Sequence, residues 1–585
     1  MARAVRMTDY ARAGWMAARR ELALTTNALG LVQLLQQPSG TPDTIELSPE
    51  DPYSVLEDRG DEFLAGRLVF AGETLSLNDG ETVWDRPLPS EAFARRLHGF
   101  DWLRDVKDRG ETADATRLID GWVARFGRWN GFAWSHEVLA LRVINWLRAG
   151  PEVLNASGET EKARKARFKS LMRQVRYLQR DLGLAPDGLP RLRGALALSL
   201  AGLCLPRQDN VLKSALSALS RELKRQILPD GGHVSRSPEA GLVTLVDLMC
   251  IRDLADERGT VLPDEILKTI DRLAPMVRFH QLDDGCLASF HGGGESDQAA
   301  LAWALEKDDS QGRPFGFAPH SGYHRAHAGG ATVILDAGDT PLGEVSRGSH
   351  ASALALEMAT PGGRLIVNCG WQADQPRSWR EAVRASAAHS TLTLEETSSA
   401  RLLTPGWKRD LLGTRLATHP GPVTARRNEE DMGIWLEGIH EGYRELFGLS
   451  HRRRVFLAAD GGDLRGEDAL FRPVSDGTPD DVEVRYRFAI RFHLHPEVKV
   501  SLSRDSMSAI LVQPNGDGWR FRTDGGPVRL ERSIYLAAGS PPQRATLIIV
   551  RGDAEPFGAG DRPPNRVRWA FQRLGRIGAT EGEVG

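Results

Sequence analysis

The stretch from residue 345 to residue 395 decides the fold of this chain. It begins Val345-Ser-Arg-Gly-Ser-His350-Ala-Ser-Ala-Leu-Ala-Leu-Glu357-Met, continues Pro361-Gly-Gly-Arg-Leu-Ile-Val-Asn368-Cys-Gly370 and closes Arg384-Ala-Ser-Ala-Ala-His389-Ser-Thr-Leu-Thr-Leu. Three runs, 353–358, 364–368 and 390–394, are apolar or alternate apolar with polar residues, and Gly and Pro bound them, which predicts consecutive β-strands. His350 and His389 precede strands and Asn368 ends one, so the turns present polar groups together.

On either side of this stretch the chain divides into a helical half and a strand-rich half. Between about residues 115 and 310, segments with helical periodicity follow one another with short loops, and 136–149 has the clearest apolar stripe. Serial helices of this kind form bundles or toroids. After Pro314, short strands separated by turn residues predict an antiparallel sandwich, with a hairpin turn at 514–518 and a loop-rich tail beyond 556.

The first 60 residues are interpreted as a helix and a linker. Residues 10–36 predict an amphipathic helix, with Trp15 and Leu22 among its apolar residues, that docks on the protein or lies on a membrane surface. Residues 37–60 are rich in Pro, Ser, Asp and Glu, which is typical of a linker. We see no secretory signal and no 18-residue apolar run. The predicted division is therefore 1–60, a helical domain at 61–312 and a sandwich domain at 313–585.

Composition sets limits on partners. The formal net charge is −3, with 26% charged and 41% hydrophobic residues, so nothing global calls for nucleic acid. The four cysteines are scattered through mostly apolar runs, without the spacing of a metal site or a disulfide framework. Buried free thiols are the expected state.

The motifs of 345–395 resemble the C-terminal domain of the heparinase II/III family of polysaccharide lyases. In that family a His two residues before an Asp opens a strand; a Gly-Gly turn, a strand ending in Asp or Asn then Gly, and an Ala-His-Asn-Thr follow. This chain matches with His350, Ile366-Val-Asn368-Cys-Gly370 and Ala388-His389-Ser-Thr391, and Ser352 stands at the usual Asp. The resemblance spans about residues 100–555 and implies an incomplete α/α toroid followed by an antiparallel β-sandwich.

The resemblance also implies a reaction, β-elimination on a uronate polymer. That chemistry needs a group that neutralises the carboxylate, a base for the adjacent C–H and an acid for the departing oxygen. The family supplies a tyrosine from a segment recognisable here as Pro229-Asp-Gly-Gly-His233-Val-Ser-Arg236-Ser-Pro238, but Ala240 stands at the tyrosine position. The candidate catalytic residues are therefore His350 and His233 for the protons, and Arg191 or Arg236 for the carboxylate. Alternatively, His233 and Arg236 belong to a loop that caps the helix at 239–255.

A metal site is the other implication of the resemblance. The implied ligands are His350, Asn368 and His389, and the implied cofactor is a structural divalent ion, zinc or calcium. Family members that hold zinc have an Asp at the position of Asn368, and an amide is a poor zinc ligand. The alternative is a buried hydrogen-bond cluster of these three side chains between strands.

Two functions follow from these observations. The first is a lyase that cleaves an acidic, uronate-containing polysaccharide; the second is a non-catalytic carbohydrate-binding or envelope-polysaccharide assembly protein on the same scaffold. A hydrolase with paired carboxylates has little support, since Glu357 and Glu395 have no obvious partner. The resemblance implies the cell envelope or periplasm, and the missing signal peptide leaves the cytoplasm as the alternative. If the lyase hypothesis holds, His233, Arg191, Arg236 and His350 should converge on one cleft.

Overall fold

A computed structural model of the chain describes residues 7–29, 40–158, 160–308, 314–373, 375–473, 485–537, 541–555 and 564–576. Helices fill the amino-terminal half. They are Met7–Ala28, Glu57–Leu64, Glu91–Gly99, Leu103–Arg109, Thr112–Phe126, His136–Arg148, Pro151–Leu154, Glu161–Asp181, Leu189–Cys204, Asp209–Gln226, Pro238–Arg258, Asp264–His280 and Gln298–Glu306. A small hairpin of β1 (Arg67–Phe70) and β2 (Glu73–Ser76) lies between the second and third of them.

Two of these helices are buried almost all round, so they form the centre of the helical half. Leu189–Cys204 is buried on every face from Gly194 onward, which is the pattern of a core helix. Pro238–Arg258 begins with the Ser237 hydroxyl accepting the Ala240 amide and ends at Gly259, whose φ of 69° permits the left-handed cap. Ser237 is therefore the N-cap of this helix, directly after the loop that carries His233 and Arg236. A core of more than sixty buried residues joins these helices to their neighbours.

The carboxyl-terminal half is a sandwich of two antiparallel sheets. Its strands are β3 (Phe317–Ala318), β4 (Tyr323–Ala328), β5 (Ala331–Asp336), β6 (Leu356–Thr360), β7 (Gly363–Val367), β8 (Leu392–Leu394), β9 (Thr424–Glu430), β10 (Gly433–His440), β11 (Ser450–Ala458), β12 (Asp463–Phe471), β13 (Tyr486–Leu494), β14 (Lys499–Leu502), β15 (Ser508–Val512), β16 (Asp517–Thr523), β17 (Val528–Tyr535), β18 (Gln543–Ala554) and β19 (Arg566–Arg576). One sheet runs β14-β15-β16-β19-β12-β11-β10-β9; the other runs β17-β18-β13-β7-β6-β5-β4-β3, with β8 against β13. Short helices at Arg377–Ala382, Trp407–Leu412 and Arg444–Phe447 lie in the connections.

The sequence patterns missed several strands, most of which are rich in polar residues. The expectation of a loop-rich tail beyond 556 is wrong, because β19 pairs with both β12 and β16 in the middle of its sheet. Its alternating arginines face outward while Val567, Trp569 and Phe571 enter the core. The charged strand β9 was missed because its residues are all at least partly exposed at the sheet edge.

The N-terminal helix docks on the body of the protein, as one of the two predictions had it. Arg20 donates to the Leu184 carbonyl at 2.8 Å, and the Tyr10 ring lies 5.8 Å from the Trp407 ring. The other prediction, a contact with a membrane surface, stays a prediction. Trp15 and Leu22, which are 57% and 68% exposed, are the side chains that would make this contact. Residues 30–36 lie outside the described part of the chain. Among the described helices, none has the length and apolarity needed to cross a bilayer.

The stretch interpreted as a linker is packed where the structure describes it, from residue 40 onward. Ile45 is buried in the helical core, and the backbone amide of Leu56 donates to Asp105 at 2.9 Å. All four cysteines are buried free thiols, as predicted.

The two halves meet through a mixed apolar cluster. Phe279 and Phe290 from the helical side pack against Tyr323 of β4 and Ile334 of β5. This contact sets the end of β5 and the turns of the 345–395 stretch beside the loops that follow the helices Asp209–Gln226 and Asp264–His280.

Candidate functional site

A pair of buried histidines lies at the turns of the 345–395 stretch. The His350 Nδ1 atom is 3.1 Å from His389 Nε2, and His389 Nδ1 is 2.8 Å from the Ala385 carbonyl oxygen. Because a carbonyl only accepts, neutral His389 must carry its proton on Nδ1, and His350 must then donate from its own Nδ1. The His350 Nε2 atom is left as an unprotonated lone pair, buried and without a hydrogen-bond partner among the described residues.

Next to this pair lies a third histidine, His291, which is not among the predicted site residues. His291 Nδ1 accepts the backbone amide of His350 at 3.3 Å, and its Nε2 donates to Asp336 at 3.1 Å. Ser352, at the usual family Asp, donates to the same Asp336 oxygen at 2.6 Å. The carboxylate of this site therefore comes from the end of β5.

Arg236 closes the network from the helical side. Its guanidinium donates to Asp336 at 2.5 Å and to the carbonyls of Ser321 and Gly322, and it lies over the Tyr323 ring at 4.6 Å. Burial raises the pKa of the Asp336 carboxyl, but the Arg236 charge and the bonds from His291 and Ser352 hold that pKa well below its usual range. Arg236 is thus a buried counter-ion for Asp336, and its donors point into the protein.

The backbone at this junction is held in an unusual conformation. Arg236, His291 and Leu354 all have left-handed backbone angles, with φ of 61°, 47° and 56°. Non-glycine residues seldom adopt such angles, and clusters of them mark sites where surrounding contacts over-determine the backbone. Arg236 and His291 touch each other, and the Leu354 amide donates to the Asp336 carbonyl, so the three belong to one network.

Burial keeps the histidines neutral. It lowers the pKa of His389 to about 4 and that of His350 well below its usual value, and the charge of Arg384 adds to the lowering of the His350 pKa. Arg384 itself is buried and donates to the carbonyls of Ser349, Ser346 and Thr414. A general base works best when its pKa lies near the working pH, so His350 in this state is a weak proton acceptor.

Asn368 is the centre of a separate cluster, tied to a buried carboxyl. Its side-chain nitrogen donates to Glu357 at 3.1 Å, and its oxygen accepts the Ser390 amide at 3.0 Å. The other Glu357 oxygen accepts the Ser289 amide and lies 3.5 Å from Arg364. Burial raises the pKa of Glu357 to about 7, against the Arg364 charge and the bonds from the backbone amides of Asn368 and Ser289.

The metal ligands implied by the resemblance do not fit an ion. Both polar atoms of the Asn368 amide are engaged, and His350 and His389 turn their nitrogens toward each other. Within the described ranges there is no group of three or more His, Cys, Asp or Glu residues placed to hold a metal. The three side chains lie instead in two buried hydrogen-bond clusters, the His350–His389 pair and the cluster around Asn368, and not in the single cluster of the alternative.

His233 has both ring nitrogens engaged inside its own loop. Its Nδ1 accepts the Ser235 amide at 3.1 Å, and its Nε2 faces the Gln226 carbonyl oxygen at 3.1 Å. The ring is 2% exposed, and burial lowers its pKa to about 4. Together with Arg236 it lines a cavity of about 10 Å³, which has room for no more than a water molecule.

Of the four predicted catalytic residues, the structure brings together His350 and Arg236, which both contact His291. His233 adjoins Arg236 but its nitrogens face elsewhere. Arg191 donates to the Ala185 carbonyl at 2.8 Å and lies 3.5 Å from Asp187, and neither contact belongs to the histidine network. Sequence reasoning missed His291 and Asp336; a His directly before three glycines and an Asp at a strand end were the available signals.

Comparisons with known proteins identify the family of this chain. Residues 310–570 match the family model of the Heparinase II/III-like, C-terminal domain. The chain is 36% identical over 538 residues to FtsZ-localized protein C of Caulobacter vibrioides, covering 91% of each protein. The chain belongs to the heparinase II/III-like family.

Solved structures show the same fold for this family member. Heparinase III superposes with a TM-score of 0.68 at 15% identity, over 94% of this chain and 89% of that one. Heparan sulfate lyase HepC from Pedobacter heparinus superposes with a TM-score of 0.53 at 14% identity, over 97% and 89% of the two chains. The predicted architecture, a helical toroid followed by an antiparallel β-sandwich, is confirmed. At these identities the likeness establishes the scaffold alone.

Proposed function

We propose that this chain is a non-catalytic member of the heparinase II/III-like family that acts as a component of the FtsZ division apparatus. The similarity to FtsZ-localized protein C, 36% over 91% of both chains, carries the proposal, because it extends through both halves of the molecule. Of the two locations considered, the envelope or periplasm and the cytoplasm, the proposal requires the cytoplasm, where FtsZ works.

The state of the lyase machinery supports the non-catalytic part of the proposal. Ala240 occupies the position of the family tyrosine, and both ring nitrogens of His233 have hydrogen-bond partners close by. The Arg236 guanidinium forms an ion pair with Asp336. No side chain of this set remains as an acid for the leaving oxygen. A cationic group already paired inside the protein also has little to offer a substrate carboxylate.

Binding to FtsZ tests the proposal directly. Purified full-length chain should co-sediment with FtsZ polymers in the presence of GTP and stay in the supernatant without them. A fluorescent fusion should overlie FtsZ in dividing cells. Failure of both measurements would refute the division function whatever the chain does to polysaccharides.

Lyase activity is the second candidate, and one observation favours it. The His350 Nε2 lone pair is buried, unprotonated and unpartnered among the described residues, and a free lone pair is what a proton-abstracting base requires. The substrate would be a uronate-containing polysaccharide, cleaved by β-elimination.

Ultraviolet absorbance of the unsaturated uronate product decides between the two candidates. Heparan sulfate, alginate and hyaluronan would be incubated with wild type, His350→Ala and His233→Ala. We expect no increase with any of them. An increase that His350→Ala abolishes and His233→Ala retains would establish a lyase built on His350. Binding of a polymer without an increase would instead favour the carbohydrate-binding alternative.

A further inference from the structure

The outer face of the eight-stranded sheet carries a local excess of positive charge. Alternation along β11, β12, β19 and β16 places on this face the arginines 452, 454, 465, 520, 522, 566 and 568. Against these seven, the same strands, the end of β16 and the adjoining β10 supply four carboxylates, Asp463, Glu467, Asp524 and Glu437. The whole chain has a net charge of −3, so this face differs in sign from the molecule that carries it.

The carboxylates on this face are already engaged. Glu467 lies within 4 Å of four arginines, at 3.3 Å from Arg452, 3.4 Å from Arg568 and 3.9 Å from both Arg454 and Arg566. Glu437 of β10 also pairs with Arg454, and Asp524 lies 3.9 Å from Arg566, so three carboxylates face these four arginines. Arg522 is exposed and has no ion pair or hydrogen bond of its side chain within the described part of the chain.

The strand register places these charged residues along the sides of a trough in the sheet surface. Trp435, Phe456, Arg465, Ala570 and Arg522 are paired in order across β10, β11, β12, β19 and β16. Ala570 is the one small side chain in this row, and it forms the floor between the two arginines. The resulting depression has a volume of about 770 Å³.

One end of the trough is aromatic. Trp435 is 41% exposed, and its ring packs against Phe456 with centroids 4.7 Å apart. The trough thus offers an apolar contact next to a row of guanidinium groups. Tryptophan and arginine are the residues that most often dominate binding energy at protein interfaces.

We propose that this trough binds an acidic segment of a partner protein that also carries an aromatic side chain. Arg522 pairs with a carboxylate, for which the guanidinium fork is suited, and Trp435 packs against the aromatic ring. Arg465 is already paired with Asp463 at 2.6 Å, and its exposed guanidinium adds to the positive charge that attracts the segment. A neutral sugar polymer fits less well, because its hydroxyl donors would need acceptors and the carboxylates on this face are bound to arginine. The inference does not depend on the function proposed above.

The test uses defined polymers and the full-length chain. Fluorescein-labelled poly-glutamate, a random copolymer of glutamate and tyrosine, and heparan sulfate would be titrated by fluorescence anisotropy. We expect the copolymer to bind more tightly than poly-glutamate, with an affinity that falls as salt is raised. Arg465→Glu/Arg522→Glu should weaken binding of the copolymer by about tenfold or more and flatten its salt dependence.

Two further variants separate the parts of the site. Trp435→Ala should reduce the copolymer affinity to that of poly-glutamate and leave poly-glutamate binding unchanged. Arg529→Glu/Arg532→Glu makes the same charge change at exposed positions of β17 in the other sheet, and it should bind the copolymer as wild type does. Trp407→Ala removes a 66% exposed tryptophan elsewhere and should also be neutral.

Three results would overturn the proposal. The first is no binding of the copolymer by wild type. The second is an equal loss in the two double variants, which would mean that net charge alone matters. The third is tighter binding of heparan sulfate than of the copolymer with the same dependence on Arg465 and Arg522, which would assign the trough to an anionic polysaccharide.

Discussion

Two pairs of buried histidines in this molecule have nearly the same geometry and different surroundings. In the sandwich core, His440 and His451 face each other with ring nitrogens 3.1 Å apart and centroids 5.1 Å apart. At the junction of the two halves, His350 and His389 face each other at 3.1 Å and 5.2 Å. The difference lies at the ends of the two chains of hydrogen bonds.

The core pair is closed at both ends. The Gly442 amide donates to His440 Nδ1, His440 then donates to His451, and His451 Nε2 donates to Asp468 at 2.7 Å. Asp468 is held in turn by Arg453 and by the Trp569 indole. The junction pair is closed only at His389; among the residues that the structure describes, the chain of hydrogen bonds ends at the unpartnered Nε2 of His350.

This difference separates a structural network from a candidate site. A fully satisfied polar network rigidifies a core. An unsatisfied buried nitrogen destabilises the folded state, so a contribution to folding does not explain its presence. Left-handed backbone angles at Arg236, His291 and Leu354 occur at the junction pair. If the junction retains a function in this family member, the open nitrogen of His350 is where it acts.

The largest predicted effects on stability come from substituting the aspartate of each network. In this respect the two networks are alike. Asp468 pairs with buried Arg453 and Asp336 with buried Arg236. Asp468→Asn and Asp336→Asn should each lower the free energy of unfolding by about 3–5 kcal/mol, because each leaves a buried guanidinium without its counter-ion. Urea denaturation at pH 7 measures this, with Asp431→Asn at an exposed turn as the control.

Acid should reduce the effect of both substitutions. Buried arginines hold the pKa of both wild-type aspartates below the usual range, against the effect of burial. Their contribution to stability is therefore present above the unfolded pKa near 4 and is lost as the pH falls through the folded pKa. A cost that did not shrink in acid would contradict the assignment of these pairs.

The fold was largely predictable from the sequence because most of its elements bury one face or every face. The helices after residue 112 and the strands β5 to β8 have the periodicity or the apolar runs that burial requires. Some strands were not predicted, β9 and β19 among them. They are held in the sheet by pairing with neighbouring strands, and their many charged residues obscure the alternation of apolar and polar residues. Pairing partners far apart in sequence leave no local pattern.

The site was less predictable, for a physical reason. His350 and Arg236 were found from motifs, yet what each does depends on His291 and Asp336, which arrive from other loops. Whether a histidine is closed or open at its second nitrogen depends on such long-range contacts. His233 shows the same limit, since its partner Gln226 precedes it by one loop and carries no sequence signal.

A smaller effect should come from Glu357, which links Asn368 to the junction. Burial raises its pKa to about 7, so the folded protein holds this proton more tightly than the unfolded chain does. Its contribution to stability is then full below about pH 4.5 and is lost as the pH rises to about 7. Relative to Glu357→Gln, wild type should lose about 2–3 kcal/mol of unfolding free energy between pH 5 and pH 8.

Chemical denaturation at several pH values checks this sign. Glu306→Gln, at an exposed helix position, serves as the control and should show no such difference. A wild-type advantage over Glu357→Gln that grew with pH would mean that Arg364 and the Asn368 and Ser289 amides outweigh burial.

The smallest predicted effect separates the two histidine pairs most directly. Asparagine places a polar atom near the position of histidine Nδ1 and has none at Nε2. His451→Asn therefore deletes the bond to Asp468, whereas His350→Asn deletes only the unpartnered nitrogen and keeps a donor toward His389. The loss of ring volume is the same in both, so it cancels in the comparison. His451→Asn should be the more destabilising by about 1–2 kcal/mol, measured by thermal and urea unfolding, and equal costs would show that His350 Nε2 is satisfied in solution as fully as its counterpart in the core.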